Sequence, residues 1–88
     1  MSEELRDHKV KRLYMRSIRR GIKEMDLILT SFADRHLAHM PDGGLDLYDA
    51  MLNENDHDLY QWVTGQQPAP AHYAGLIAEI ATDFSPLS

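Results

Sequence analysis

Cysteine is absent from the 88 residues of this chain, which excludes disulfide bonds, thiol catalysis and zinc sites built on cysteine. No apolar run approaches the roughly 18 residues that a membrane-spanning helix needs, so we expect no membrane insertion. The first four residues, Met1-Ser2-Glu3-Glu4, include two acids, which argues against a secretory or transit peptide. These absences together predict a soluble protein of the cytoplasm.

Motifs of catalysis and cofactor binding are missing as well, because the sequence has no Gly-rich phosphate loop, no G-x-G-x-x-G and no G-x-S-x-G. Glu24 and Asp26 are close in sequence, but on a helix they diverge by about 200° and cannot act on one substrate bond. His36 and His39 have the spacing of two metal ligands, yet no third ligand is placed beside them. We therefore expect neither an enzyme nor a metal site.

Charge is distributed unevenly along the chain, although the net charge is only −5. Residues 1–23 hold eight of the nine Lys and Arg with three acids, for a net +5, whereas residues 24–88 hold one cation and eleven acids, for a net −10. The basic segment can pack beside acidic neighbours within the domain, or form a basic face for a partner, and both interpretations can hold together. Nucleic-acid binding by the basic first helix is one such alternative, and it predicts affinity that falls steeply with salt.

Apolar residues recur at helical spacing along the whole chain, and no useful stretch alternates as a strand would. We expect one domain over 1–88, an all-α compact bundle of about five short helices, with a flexible tail at 85–88. The predicted helices cover about 3–19, a second from Glu24 to before Met40, about 45–53, a short one after Asp56, and about 71–83. The side chains expected to face the core are Val10, Leu13, Tyr14, Ile18, Met25, Ile28, Leu29, Phe32, His36, Leu37, Leu45, Tyr48, Met51, Leu52, Leu59, Trp62, Val63, Tyr73, Leu76, Ile77, Ile80 and Phe84.

Local signals mark the helix ends. Ser2 is a candidate cap for the first helix, Asp56 is a candidate N-cap for the fourth, and Met40-Pro41-Asp42-Gly43-Gly44 reads as a turn. Gly21 should end or bend the first helix at a corner. Its backbone is expected to be left-handed, as in many helix C-caps, or a partner is expected to lie so close that a Cβ would clash, and the two explanations are not exclusive.

Two segments resemble a known family. Arg20-Gly21-x-x-Glu24-x-Asp26 resembles the R-G-x-x-E signature of the SdhE-type FAD assembly factors, and Asn55-Asp56-x-Asp58-Leu59-Tyr60-x-Trp62 resembles the acidic segment that follows in that family. The resemblance implies a chaperone that binds the flavoprotein subunit of succinate dehydrogenase, and also that of fumarate reductase, and promotes covalent attachment of FAD. Its partner-binding residues would be Arg20, Gly21 and Glu24, with Arg16, Arg19 and Asp26 beside them.

The resemblance also implies that FAD belongs to the partner flavoprotein, so we expect no tightly bound cofactor, and a monomer when the chain is free. In that family the flavoprotein's own histidine attacks the FAD methyl group, and the small protein would only orient the reacting groups. A regulatory helical domain that uses the basic first helix to bind another protein is the remaining alternative.

Overall fold

The computed structural model describes residues 5–84, and every regular element in that range is helical. The predicted all-α bundle of five short helices is therefore confirmed. The helices, with one 3-10 turn after the second, are α1 (Arg6–Ser17), α2 (Lys23–His36), the turn Leu37–His39, α3 (Asp42–Met51), α4 (Asp56–Val63) and α5 (Ala71–Phe84). The cap expected from Ser2 and the tail expected at 85–88 lie outside the described residues.

Helix α2 is the centre of the bundle, because it contacts α1, α4 and α5. Its buried side chains recur three and four residues apart, which places them on one face. The buried hydrophobic residues of the described range are Leu13, Met25, Ile28, Leu29, Phe32, Ala33, Leu37, Leu45, Tyr48, Met51, Leu52, Leu59, Val63, Tyr73, Leu76, Ile77 and Ile80. All but Ala33 were expected from the apolar periodicity.

Some expected core positions are only half-buried. Val10, Tyr14 and Trp62 pack against the rim of the core, and Phe84 is exposed at the end of α5. His36 follows the apolar stripe of α2, but its ring stacks on Phe32 at 4.6 Å between centroids and its Nε2 lies 2.9 Å from Asp83 Oδ1. Burying a polar ring without a hydrogen-bond partner is costly, so His36 stays at the edge of the core, where Asp83 is its partner.

The segment predicted as a turn before α3 is partly helical. Pro41 is the N-cap, and Asp42, Gly43 and Gly44 form the first turn of α3. Asp42 suits the positive N-terminal end of the helix dipole, so a segment with the composition of a turn can begin a helix. The turn signal therefore identified the right place and the wrong boundary.

A buried polar contact joins α1 to α3 just before α1 ends. Ser17 Oγ lies 2.6 Å from the Tyr48 hydroxyl and donates a hydrogen bond to the carbonyl of Leu13 at 2.7 Å. Burial raises the pKa of Tyr48 to about 12, so this hydroxyl remains neutral across the physiological range. The contact fixes the last turn of α1 on the bundle.

None of the helices in residues 5–84 combines the length and the apolar character that crossing a bilayer requires.

Candidate functional site

The site begins at the corner between α1 and α2, residues 18–22. Helix α1 ends at Ser17, and Ile18 follows in an extended conformation. The expectation of a left-handed backbone at Gly21 is wrong. The left-handed residue is Arg19, with φ of 59°, and Gly21 is not among the residues of positive φ.

Asp56, the first residue of α4, fastens this corner. Its Oδ1 accepts from Arg20 Nε at 2.8 Å and lies 2.7 Å from Arg20 Nη2, while its Oδ2 accepts the backbone N–H of Gly21 at 2.7 Å. We call this arrangement of Arg20, Gly21 and Asp56 the corner latch. Three short contacts to one carboxylate hold two successive residues of the corner on the N-terminus of α4.

Arg20 is turned into the protein. Besides Asp56, its Nη1 donates to the carbonyl of Arg16 at 3.0 Å and its Nη2 to the carbonyl of Leu52 at 3.3 Å. Only 12% of its side chain is exposed. The guanidinium therefore uses all three of its nitrogens to join the end of α1 to the C-cap of α3 and to the first residue of α4.

Gly21 is explained by the nearness of Asp56. A Cβ built on Gly21 would lie 3.1 Å from Asp56 Oδ2, which is tighter than an ordinary van der Waals contact. The residue itself is exposed. A close approach was one of the two explanations expected for this glycine, but the approaching group belongs to the chain itself.

The assignment of Asp56 as an N-cap is wrong for a related reason. Asn55 is the N-cap of α4, and its side-chain oxygen accepts the backbone N–H of His57 at 2.8 Å. Asp56 is thereby released to bind the corner. The sequence contained the signal, since two adjacent residues, Asn55 and Asp56, could each have capped the helix and one was in excess.

The remaining predicted site residues divide between the interior and the surface. Arg16 bonds to the Asp49 carboxylate and donates to Asn53 Oδ1 at 2.7 Å. Asp26 is half-buried in the first turn of α2 and accepts a hydrogen bond from Thr30 at 3.2 Å. Glu24 lies in that same turn and is exposed, as are Arg19 and Gly21.

A row of ion pairs between α1 and α3 accounts for most of the basic charge of α1. The spacing of three and four residues on each helix brings the charges together along the contact. We call this row the ion ladder, and its pairs are Arg6–Asp42 at 2.8 Å, Lys9–Asp46, Arg12–Asp49 at 3.1 Å and Arg16–Asp49. The basic helix thus packs beside acidic neighbours of its own domain, as one of the two interpretations of the charge pattern proposed.

The ladder shifts the pKa values of two of its members. The hydrogen bond that Arg12 donates, with the charges of Arg12 and Arg16, holds the pKa of Asp49 below its usual value despite partial burial. The hydrogen bond to Asp46 raises the pKa of Lys9. Both shifts favour the charged forms.

Few cations are left for a nucleic-acid phosphate. Among the Lys and Arg in the described part of the chain, those without an ion pair are Lys11, Arg19 and Lys23, and all three are exposed. Three such cations on a protein of net charge −5 give a weak electrostatic footprint. The nucleic-acid alternative loses its main support.

Metal binding has no support within residues 5–84, where no cluster of three or more His, Asp or Glu side chains could hold an ion. His36 is instead paired with Asp83, whose carboxylate also lies 3.5 Å from Arg35 Nη1 and from Ser31 Oγ. These contacts tie the end of α5 to α2.

Comparison with known proteins gives a family match over most of the chain. Residues 11–83 match the sequence model of the family described as "Flavinator of succinate dehydrogenase". A relative from Mycosarcoma maydis is 41% identical over 71 residues, which is 81% of this chain and 30% of the relative. A relative from Danio rerio is 38% identical over 81 residues, which is 90% of this chain and 51% of the relative.

A relative from Candida glabrata is 53% identical over 58 residues, which is 66% of this chain and 38% of the relative. All three relatives are named "Succinate dehydrogenase assembly factor 2, mitochondrial". The chain thus spans between 30% and 51% of the length of these relatives. The expected cytoplasmic location is wrong, because the relatives are named as mitochondrial proteins. Charge and hydropathy bear on membrane crossing and carry no information about the compartment.

Proposed function

This chain belongs to the family of succinate dehydrogenase flavinators, which are assembly factors of that enzyme, and from this premise we propose that it binds the flavoprotein subunit and promotes its covalent flavinylation. In this proposal the chain acts as a chaperone and performs no chemical step itself. FAD belongs to the flavoprotein, and the chain binds none tightly alone. The flavoprotein of fumarate reductase is proposed as a second partner, and the free chain as a monomer.

The proposed contribution is positional. The chain holds a flexible region of the flavoprotein so that FAD and the flavoprotein's own histidine meet in a reactive orientation. Orientation of this kind converts an improbable encounter into an effectively intramolecular one. A binding protein can supply it by favouring one conformation of its partner over the others.

The corner latch is the observation that carries this proposal. Asp56 holds Arg20 and Gly21 in one geometry, and the exposed residues Arg19 and Glu24 flank them. A rigid surface loses little conformational freedom when it binds, so more of the contact energy appears as affinity. The signature residues thus support docking in two ways, some by shaping the corner and others by facing outward.

The test is flavin loading in cells that lack their own assembly factor. The flavoprotein subunit is expressed with this chain, and covalently bound flavin is measured by its fluorescence in the denatured subunit. We expect the chain to restore loading and Gly21→Arg to lose it, because an arginine side chain at Gly21 displaces Asp56 and obstructs the corner.

The matched control is Gly75→Arg, which places the same side chain at an exposed glycine of α5 where an added Cβ has no neighbour within 4 Å. Gly75→Arg should load flavin as the original chain does. Circular dichroism must show that both variants keep their helices. Failure of the original chain to restore loading, or full loading with Gly21→Arg, would contradict the proposal.

A further inference from the structure

Arg19 has a backbone that arginine rarely adopts. Its φ of 59° makes it the one non-glycine residue of positive φ between residues 5 and 84. In this region the Cβ of an L-residue crowds the following carbonyl, so the conformation is strained. Such residues persist where the surrounding structure forces them, and they concentrate at functional sites.

Contacts on both sides force this conformation. Before Arg19, the bond between Ser17 and Tyr48 fixes the end of α1. After it, the corner latch fixes Arg20 and Gly21 on Asp56. The chain must turn between these two anchors, and Arg19 takes the left-handed step.

Arg19 differs from its basic neighbours in the contacts that its side chain makes. Arg16 and Arg20 are directed to acceptors inside the domain. Arg19 is exposed, and no carboxylate of the described residues pairs with it. The turn thus presents one uncommitted guanidinium beside two that are already neutralised.

Glycine would take the same turn without strain, so the presence of arginine indicates that its side chain is used. We propose that Arg19 is the specificity-determining residue of the corner and that its guanidinium binds a carboxylate on the surface of the flavoprotein. This inference rests on the proposed function and names the chemistry that the docking partner presents. Arg20, which carries the signature, is then a positioning residue that acts through the corner latch.

A protein carboxylate fits Arg19 better than the diphosphate of free FAD does. A guanidinium matches a carboxylate through two parallel N–H bonds, whereas a diphosphate needs several cations or N–H groups together. Of the cations near Arg19 in the chain, Arg16 and Arg20 are occupied, which leaves Lys23 as the one other exposed cation near the corner without an ion pair among the described residues.

The experiment measures stability and affinity on the same set of variants. Arg19→Gly should lower the unfolding equilibrium constant, about five-fold, because it relieves the left-handed strain. The same variant should weaken binding to the purified flavoprotein subunit at least about ten-fold, as loss of a charge-assisted bidentate contact does. A residue with a purely structural role would lose stability and affinity together, so the opposite signs are diagnostic.

Two further variants separate charge from geometry. Arg19→Lys keeps the charge and the strained backbone but lacks the fork, so its stability should be unchanged and its affinity intermediate. Lys11→Ala removes an exposed cation from α1 away from the corner and should leave the affinity unchanged. Titration of the free chain with FAD alone should give no binding that depends on Arg19.

The outcomes distinguish this inference from the function beneath it. If Arg19→Gly binds the flavoprotein as tightly as the original chain while Gly21→Arg does not, the role of Arg19 is refuted and the docking function stands. Equal losses of stability and affinity in Arg19→Gly would also refute it. If the original chain does not bind the flavoprotein at all, the proposed function itself fails.

Discussion

The ion ladder and the corner latch both join cations of the first 20 residues to acids that lie more than 30 residues later. They differ in their exposure to water. In the ladder, the side chain of Asp42 is 84% exposed and that of Asp46 is 69% exposed. In the latch, Asp56 is 17% exposed and Arg20 is 12% exposed.

This difference determines what each set of charges can do. Water and salt screen exposed ion pairs, which typically stabilise a fold by about 0.2–1 kcal/mol each. Removing one partner of a largely buried pair costs more, because the other charge stays buried without compensation. The ladder therefore pairs most of the cations of α1 and aligns the helix on α3, whereas the latch fixes one local geometry.

The largest effect should follow from breaking the latch. Asp56→Ala leaves the Arg20 guanidinium largely buried and removes the acceptor of the Gly21 N–H. We expect a loss of about 2–4 kcal/mol in the free energy of unfolding, measured by urea denaturation. Partner binding should be lost with it.

The control for this change is Asp58→Ala, which removes an exposed acid from the same first turn of α4. Its loss of helix-dipole interaction should cost only about 0.5 kcal/mol. Equal costs for the two substitutions would mean that the latch acts as one more exposed pair, and the contrast with the ladder would disappear.

A smaller effect should follow from crowding the latch instead of removing it. Gly21→Ala places a Cβ about 3.1 Å from Asp56 Oδ2. The carboxylate must then shift away from the donors on Arg20 and Gly21. We expect a loss of about 1 kcal/mol, measured by thermal unfolding. Gly75→Ala should instead gain about 0.5–1 kcal/mol, because Gly75 lies within α5 with open space around it and alanine favours a helix.

The prediction depends most on the opposite signs of the two changes in the free energy of unfolding, a loss for Gly21→Ala and a gain for Gly75→Ala. A gain in stability for Gly21→Ala would show that Asp56 moves at no cost. The latch would then hold the corner less rigidly than its three short contacts imply.

Most of the bundle could be predicted from the sequence because local periodicity specifies it. The stripe of α2 and that of α5 recur at helical spacing, and most of their members are buried as expected. Phe84 fails because it is the last residue of α5, beyond the neighbours that would cover it. Periodicity assigns a face but says nothing about where the covering helices end.

The latch could not be predicted in the same way. Arg20 and Asp56 are 36 residues apart, and their pairing depends on how α4 packs against the corner. Local rules gave Gly21 the role of a left-handed cap and Asp56 that of an N-cap, and the family resemblance gave Arg20 the role of a partner contact. Each local role was plausible alone, and only the tertiary contact shows that the three residues act together.

The left-handed conformation of Arg19 could not be predicted either. The corner contains Gly21, and glycine adopts that conformation more easily than arginine. Which residue takes such a step depends on the anchors on either side. Here these are Ser17 with Tyr48 and Gly21 with Asp56. The two motifs nevertheless contain Arg20, Gly21 and Asp56, the three residues that the latch joins.

The most buried acid of the ladder should have an effect no larger than that of Gly21→Ala, and this effect should depend on pH. The pKa of Asp49 is lowered in the folded protein relative to its ordinary value of 3.8, first by the hydrogen bond from Arg12. A lowered pKa means that the carboxylate stabilises the fold above pH 3.8 and that this contribution is lost as the pH falls through the folded value. Asp49→Asn should therefore cost about 1 kcal/mol at pH 6, and the difference should shrink as the pH falls below 3.8 and vanish once the pH is below the lowered folded pKa.

Asp42→Asn sets the lower end of the comparison, because the pair with Arg6 is the most exposed in the ladder. We expect its cost to stay below about 0.5 kcal/mol and to disappear in about 1 M salt, where screening acts over roughly 3 Å. Asp49, with 29% of its side chain exposed and two arginines beside it, should keep part of its contribution in the same salt. Urea denaturation of both variants at pH 6 and below pH 3.8, with and without salt, measures this. If both acids respond alike, exposure does not grade the ladder, and the latch differs from it by its hydrogen bond to Gly21 rather than by burial.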